Sequence, residues 1–118
     1  MSRPLVGVVL VTRDSSQWIS TTLNSIANQS LAPTVVAIVD DNSQDGTRVL
    51  TDRWNPTAEQ SGISVRWARS TAKNNDARTR IARNFTQGVR MVSGVEFVAL
   101  GDHDDVWMEH RLESQYDA

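Results

Sequence analysis

Three short runs in the 118-residue chain are apolar without interruption, and each leads into acid. Residues 6–11 run through Thr12 and Arg13 to Asp14, residues 35–39 stop at Asp40 and Asp41, and residues 97–100 reach Asp102, Asp104 and Asp105 across Gly101. A strand with one wet face alternates polar and apolar side chains, so unbroken runs rich in valine and isoleucine belong to strands covered on both faces. A chain with several of them is restricted to a sheet with helices packed on either side.

The intervening segments supply those helices. Ile19, Leu23, Ile26 and Ala27 recur at spacings of three and four beside Trp18, after the capping side chains of Asp14, Ser15 and Ser16, and predict an amphipathic helix to about Gln29. Leu31-Ala32-Pro33 breaks it. Residues 47–54 predict a second helix, closed by Asn55-Pro56. Residues 63–68 set Ile63, Val65 and Trp67 against Ser64 and Arg66, the alternation of a half-exposed strand at a sheet edge. From about Arg78, a third helix is predicted with Ile81, Phe85, Val89 and Val92 on one face and with Ala82 and Gly88 allowing close approach, until Ser93-Gly94 ends it. A last helix is expected from about Trp107 through Leu112. The order β-α-β-α-β-α-β-α predicts a Rossmann-like α/β fold: an open, mostly parallel sheet with helices on both faces. At this length, with 39% hydrophobic residues, one domain with one modest core is expected.

Charge is uneven beneath a formal net value of -2. Arg66, Arg69, Lys73, Arg78, Arg80, Arg83 and Arg90 fall in one stretch, while the aspartates cluster elsewhere. A nucleic-acid partner is not expected, because such binders are basic overall. The absence of cysteine excludes disulfides, thiolate metal sites and cysteine-protease chemistry, and fits a reducing, cytoplasmic setting. The apolar run after Met1-Ser2-Arg3-Pro4 is too short, and too soon interrupted by Arg13 and Asp14, for a signal peptide or a spanning helix.

In open parallel sheets, ligands bind beyond the carboxyl ends of the strands. Asp14, Asp40, Asp41, Asp102, Asp104 and Asp105 are all expected there. Carboxylates gathered in a partly dry crevice raise one another's pKa, a cost that a divalent cation removes. Oxygen donors without cysteine suit Mg²⁺ or Mn²⁺, ions that keep positions open for substrate phosphates. Asp102 and Asp104, at i and i+2 in an extended segment, would point to one side as a metal-diphosphate clamp, with His103 on the other. The competing reading makes Asp104 or Asp105 the cap of the last helix and the segment from Asp40 to Gly46 ordinary turn and cap chemistry. Arg80 and Arg83, near the start of the third helix, are best placed for a diphosphate or base; most of the other arginines are expected on a solvated face. His103 and His110 are expected in surface or capping roles rather than as catalytic bases.

Three stretches in order, Val8-Val9-Leu10-Val11-Thr12, Val39-Asp40-Asp41-Asn42-Ser43-Gln44-Asp45-Gly46-Thr47 and Phe97-Val98-Ala99-Leu100-Gly101-Asp102-His103-Asp104-Asp105-Val106-Trp107, resemble the family 2 glycosyltransferases of the GT-A fold. Within that family the likeness is to rhamnosyltransferase-like members, and it covers nearly the whole chain. The resemblance implies metal-dependent transfer of a sugar from a nucleoside-diphosphate sugar to a saccharide or lipid-linked acceptor, usually with inversion. It casts Asp41 as the base-binding aspartate, Asp102 and Asp104 as the motif that meets ribose, diphosphate and metal, Thr12 as part of the loop flanking the nucleotide, and Arg80 or Arg83 as the basic contact on the third helix; Asp14, at the tip of the first strand, is also expected at the nucleotide. The chain departs from the family at Arg13 and Asp14, where an aromatic residue and Asn are usual, and around Asn75-Asp76-Ala77, where a glycine is common.

The resemblance also implies further strands carrying the acceptor site and the general base. Residues 1–118 are therefore expected to be the nucleotide-sugar-binding half of the domain: able to hold a donor, unable to transfer it, and open to self-association through apolar surface. The full-length enzyme is expected in the cytoplasm, at most peripheral to the inner face of the membrane. The alternative is a non-catalytic nucleotide-sugar-binding or regulatory module of the same fold. An enzyme that makes the activated sugar ranks lower, because Thr12-Arg13-Asp14-Ser15-Ser16 lacks the glycines of a phosphate loop.

Overall fold

The structure, a computed structural model, describes residues 4–73 and 76–117. Its elements follow as β1 (Val6–Thr12), α1 (Ile19–Ala27), β2 (Val35–Asp40), α2 (Thr47–Arg53), α3 (Asn55–Gln60), β3 (Ser64–Arg69), α4 (Ala77–Met91), β4 (Phe97–Asp102) and α5 (Arg111–Asp117). The four strands form one parallel sheet in the order β3-β2-β1-β4.

The unbroken apolar runs became the inner strands. β2 is buried at every position, and β1 at all but Val11. Alternate residues serve opposite layers. Val6, Val8, Leu10, Val36 and Ile38 pack with Ile19, Leu23 and Ile26 of α1, with Trp54 and Ala58, and with Trp107 and Leu112. On the other face, Val9, Val35 and Ala37 meet Val92, with Phe85 and Met91 of α4 alongside. Helices therefore cover both faces, and β3 is an outer strand, as its alternation predicts. No described helix is long and apolar enough to cross a membrane.

Three expectations differ from what is found. Asn55-Pro56 does not simply close a helix: Pro56 stands in the first turn of α3, where its fixed φ suits helix entry and its missing N–H costs no bond. The face of α4 turned to the sheet is Asn84, Gly88 and Val92, while Ile81 and Val89 are 52% and 42% exposed. Close approach decides that rotation, since a Cβ at Gly88 would lie 2.1 Å from Val9 Cγ1. The last helix begins at Arg111 rather than near Trp107, because residues 105–108 run without regular structure and lay the Trp107 ring in the core against Gly101.

Candidate functional site at the strand tips

Register brings the strand ends level. Thr12 pairs with Asp40, Val11 with Asp102, and Asp40 with Arg69. Connections run from β1 outward through β2 to β3, and then β4 returns to the opposite side of β1, so the sheet reverses its winding between β1 and β4. Loops leaving the two strands must diverge there, and a crevice opens at such a switch point. A cavity of about 230 Å³ is found there, bounded by Thr12 and Arg13 after β1, Asp41 after β2, Asp102 and His103 at the tip of β4, and Arg80, Asn84 and Phe85 from α4.

Asp41 is 6% exposed and carries the cavity's main electrostatic feature. Arg80 donates to it through Nε at 3.2 Å and through Nη2, and Asn84 Nδ2 donates at 3.1 Å. Burial by itself raises the carboxyl; the hydrogen bonds from Arg80 and Asn84, with the charges of Arg80 and Arg13, outweigh burial and hold Asp41 below the ordinary carboxylate range. The same contact raises the Arg80 guanidinium. A third Arg80 nitrogen, Nη1, donates to the Ala72 carbonyl at 3.0 Å and ties the loop after β3 into the cluster.

Not every acid at the tips faces this cavity. Asp40 accepts from the Thr12 hydroxyl at 2.7 Å, from the Ser43 hydroxyl at 2.6 Å and from the Ser43 amide at 3.0 Å, so it braces the β2 turn. Asp45 accepts from the Thr47 hydroxyl and from the amides of Thr47 and Ser16, and these bonds, the hydroxyl's first, hold its carboxyl well below the usual range. Asp14 accepts from the Gln44 amide at 2.7 Å while its own amide donates to Ser43 Oγ at 2.9 Å. Asp14 and Asn42 both adopt left-handed backbone, with φ of 46° and 59°. The expectation that acids from all the tips share one volume therefore needs correcting: Asp14, Asp40 and Asp45 are spent on loop structure, and Asp41 and Asp102 line the cavity.

At the tip of β4 the chain turns tightly through His103 and Asp104 instead of continuing extended, yet the acids still converge. One carboxylate oxygen from each of Asp102, Asp104 and Asp105 lies within 4.8 Å of the others, and all three residues are exposed. None of them caps α5, which starts only at Arg111. The turn is fixed from behind by His103, whose Nδ1 accepts from the Arg13 amide at 3.2 Å and whose carbonyl accepts from the Thr22 hydroxyl at 2.9 Å. Three hard oxygen donors at an exposed turn fit Mg²⁺ or Mn²⁺, ions that retain open positions for phosphate.

Of the residues expected to bind a nucleotide, the structure brings Thr12, Asp41, Arg80 and Asp102 together and places Asp104 beside them. Asp14 is not among the residues that bound the cavity. Arg83 faces a neighbouring depression with Thr71, Thr86, Gln87 and Arg90. His110 sits apart, exposed between Glu109 and Glu113. Arg13 and Asn84 also line the cavity, and sequence reasoning missed both as site residues. Asn84 had a signal: with Gly88 and Val92 it forms an i, i+4, i+8 stripe that only a sheet-facing helix places inside. Asp76 caps α4 through the Thr79 amide at 2.9 Å; Met1, Ser2, Arg3, Asn75 and Ala118 lie outside the described residues.

Cavity, switch point and acidic turn define a ligand-binding α/β domain of the doubly wound type. The chain belongs to the glycosyl transferase family 2, whose family model matches residues 7–118, and its sheet and helices are those of the GT-A fold. Among curated relatives, TuaG of Bacillus subtilis (strain 168), named as a putative teichuronic acid biosynthesis glycosyltransferase, is 30% identical over 96% of this chain and 41% of its own length. Among solved structures, S. aureus TarS 1-349 in complex with UDP superposes with a TM-score of 0.73 at 21% identity, over 96% of this chain and 31% of that one. Mannosyltransferase PcManGT from Pyrobaculum calidifontis, in complex with GDP-Man and Mn2+, gives a TM-score of 0.71 at 25% identity, over 91% of this chain and 29% of that one. The chain thus spans less than half the length of each of these proteins.

Proposed function

We propose that this chain holds the donor of a sugar transfer: a nucleoside-diphosphate sugar whose base enters the cavity at Asp41 and Arg80 and whose diphosphate lies over Asp102, Asp104 and Asp105. The observation that carries this reading is the junction of the two features, since Asp102 both lines the cavity and belongs to the acidic turn. A base-sized hollow with a charged acceptor and donor pair, continuous with a hard-cation site, suits a nucleotide whose phosphates project from it. Support comes from PcManGT, solved with GDP-Man and Mn2+, and from TarS, solved with UDP.

In the reaction we propose, an acceptor hydroxyl attacks the anomeric carbon while the bond to the diphosphate oxygen breaks, inverting the carbon. The hydroxyl proton passes to a general base within hydrogen-bond reach, and we place that base outside the residues of the donor site. A bound Mn²⁺ or Mg²⁺ would neutralise charge on the departing diphosphate. Asp102 and Asp104 would hold the ion, Arg80 would keep the nucleotide in the cavity, Thr12 would brace the cavity floor through its bond to Asp40, and His103 would keep the acidic turn in place. Donor binding without transfer is the activity we assign to these residues. The acceptor, a saccharide or lipid-linked glycan of a cell-wall or other surface polysaccharide, and a cytoplasmic or membrane-peripheral setting belong to the same proposal, as does self-association along β4, an outer strand that leaves Leu100 46% exposed.

Calorimetric titration with uridine, guanosine and thymidine diphosphates, in Mn²⁺ and then in chelator, tests it. At least one nucleotide should bind in Mn²⁺ and be released by chelator; silence from all three in both conditions would reject the reading.

A further inference from the structure

Asn84 lies mid-way along α4, 1% exposed, on the face turned to the sheet. An amide is a poor choice there on two counts: asparagine competes with helical backbone bonding, and a buried amide without partners is costly. Both of its polar atoms have partners, however. Its Nδ2 donates to Asp41 Oδ2 at 3.1 Å, and its Oδ1 accepts from the Ser70 hydroxyl. Ser70 in turn is anchored, its amide donating to the Asp40 carbonyl at 2.8 Å. The side chain therefore braces Asp41 from the end of β3. Leucine here would take one donor from Asp41 and leave the Ser70 hydroxyl without its acceptor, and aspartate would set two like charges face to face.

The bond also determines which part of Asp41 is available. A carboxylate offers about four acceptor positions. Arg80 Nε and Asn84 fill those on Oδ2, and Arg80 Nη2 and Asn42 Nδ2 approach Oδ1. The Asn42 contact is long, at 3.3 Å, and comes from an exposed side chain, so an incoming N–H can take its place without breaking a buried bond.

Building on the proposed donor reading, we infer that Asn84 is a positioning residue for base selection: with Ser70 behind it, it fixes the Asp41 carboxylate so that Oδ1 accepts from the ring N–H of a base. Uracil, thymine and guanine carry such an N–H. Cytosine and adenine present a bare ring nitrogen at that edge and would meet the carboxylate with repulsion. Asn84 thus acts through Asp41 and need not touch the nucleotide.

The experiment is calorimetry in Mn²⁺ on the wild-type chain and on Asn84→Ala, Ser70→Ala and Ser70→Thr, with uridine, guanosine, thymidine, cytidine and adenosine diphosphates, alongside Mn²⁺ binding followed by spin resonance. Wild type should favour its best ring-N–H nucleotide over cytidine and adenosine diphosphates by roughly tenfold or more, the worth of a hydrogen bond to a charged group. Asn84→Ala and Ser70→Ala should narrow that ratio, Ser70→Thr should keep it, and Mn²⁺ affinity alone should not change. Should Asn84→Ala fail to fold, the two Ser70 variants decide the matter. An unaltered ratio in folded Ser70→Ala or Asn84→Ala, with all nucleotides weakened equally, would reduce Asn84 to a structural brace and overturn the inference. A wild-type chain that binds no nucleotide would instead strike the donor reading itself.

Discussion

Arg80 and Asp41, 39 residues apart in sequence, meet edge-on, with Nε and Nη2 of the guanidinium both directed at the one carboxylate. The pair joins the first turns of α4 to the end of β2 and closes one wall of the cavity. Since Asp41 is held below its ordinary pKa in the fold, its contribution to stability is complete above the unfolded carboxylate value and is lost as pH falls through the lowered one. Arg80→Gln removes the largest attraction and should bring acid unfolding to higher pH. Circular dichroism during acid titration checks this; an unmoved midpoint would show the pair to be dispensable.

Gly88 faces Val9 so closely that an added Cβ would meet Val9 Cγ1 at 2.1 Å. Alanine in place of a helical glycine ordinarily stabilises by up to about 1 kcal/mol. Overpacking of about 1–3 kcal/mol should win here, so Gly88→Ala is expected to destabilise in urea unfolding. Combining it with Val9→Ala should restore part of the loss, and strict additivity of the two would argue against the contact.

Asp104 is exposed and serves no helix start, so Asp104→Asn should leave the fold and its unfolding midpoint intact. Asp104 is a proposed direct ligand, and its loss should weaken Mn²⁺ binding at least as much as loss of an outer partner, roughly tenfold or more. Mn²⁺ titration by spin resonance reads the effect, and wild-type affinity in the mutant would remove Asp104 from the metal site.

Asp40 should behave in the opposite way. It accepts three hydrogen bonds within the β1 and β2 turns and stays out of the cavity lining. Asp40→Ala is expected to lower stability by about 1–3 kcal/mol, the cost of leaving buried donors unpaired, with Mn²⁺ affinity unchanged in the folded fraction. A large loss of Mn²⁺ binding without loss of stability would contradict that division of labour.

His103 ties the acidic turn to the loop after β1, and its ring stacks on Trp18 with planes 7° apart. In His103→Ala, the Arg13 amide should exchange its hydrogen faster, and Mn²⁺ should bind more weakly than in wild type but better than in Asp104→Asn. Because the Arg13 amide also donates to Ser15 Oγ at 3.2 Å, it is unchanged exchange together with wild-type Mn²⁺ affinity that would mean the turn holds its shape without the ring.

The inner strands were legible because burial on both faces leaves no freedom in residue type: residues 6–11 and 35–39 admit one reading. Rotation of α4 was less legible. Ile81 and Val89 carry the apolar signal, yet steric closeness at Gly88 sets the angle, and periodicity does not encode closeness. Trp107 misled for a related reason, since an aromatic that enters the core from an irregular segment looks in sequence like the start of a helix. At the tips, Asp41, Asp102 and Asp104 stand in the region expected of them. Asp14 and Asp40 have the same composition and neighbourhood and differ only in which amides and hydroxyls reach them, a matter of tertiary geometry.

The two left-handed turns carry a lesson for engineering. Asp14 and the segment after Asn42 grip each other across the rim, side chain to amide in one direction and amide to hydroxyl in the other, so neither conformation is maintained by its own residues alone. Anyone grafting a loop from another family member to alter donor preference should exchange both turns at once; a single graft would leave its counterpart without the grip that sustains an unfavourable backbone.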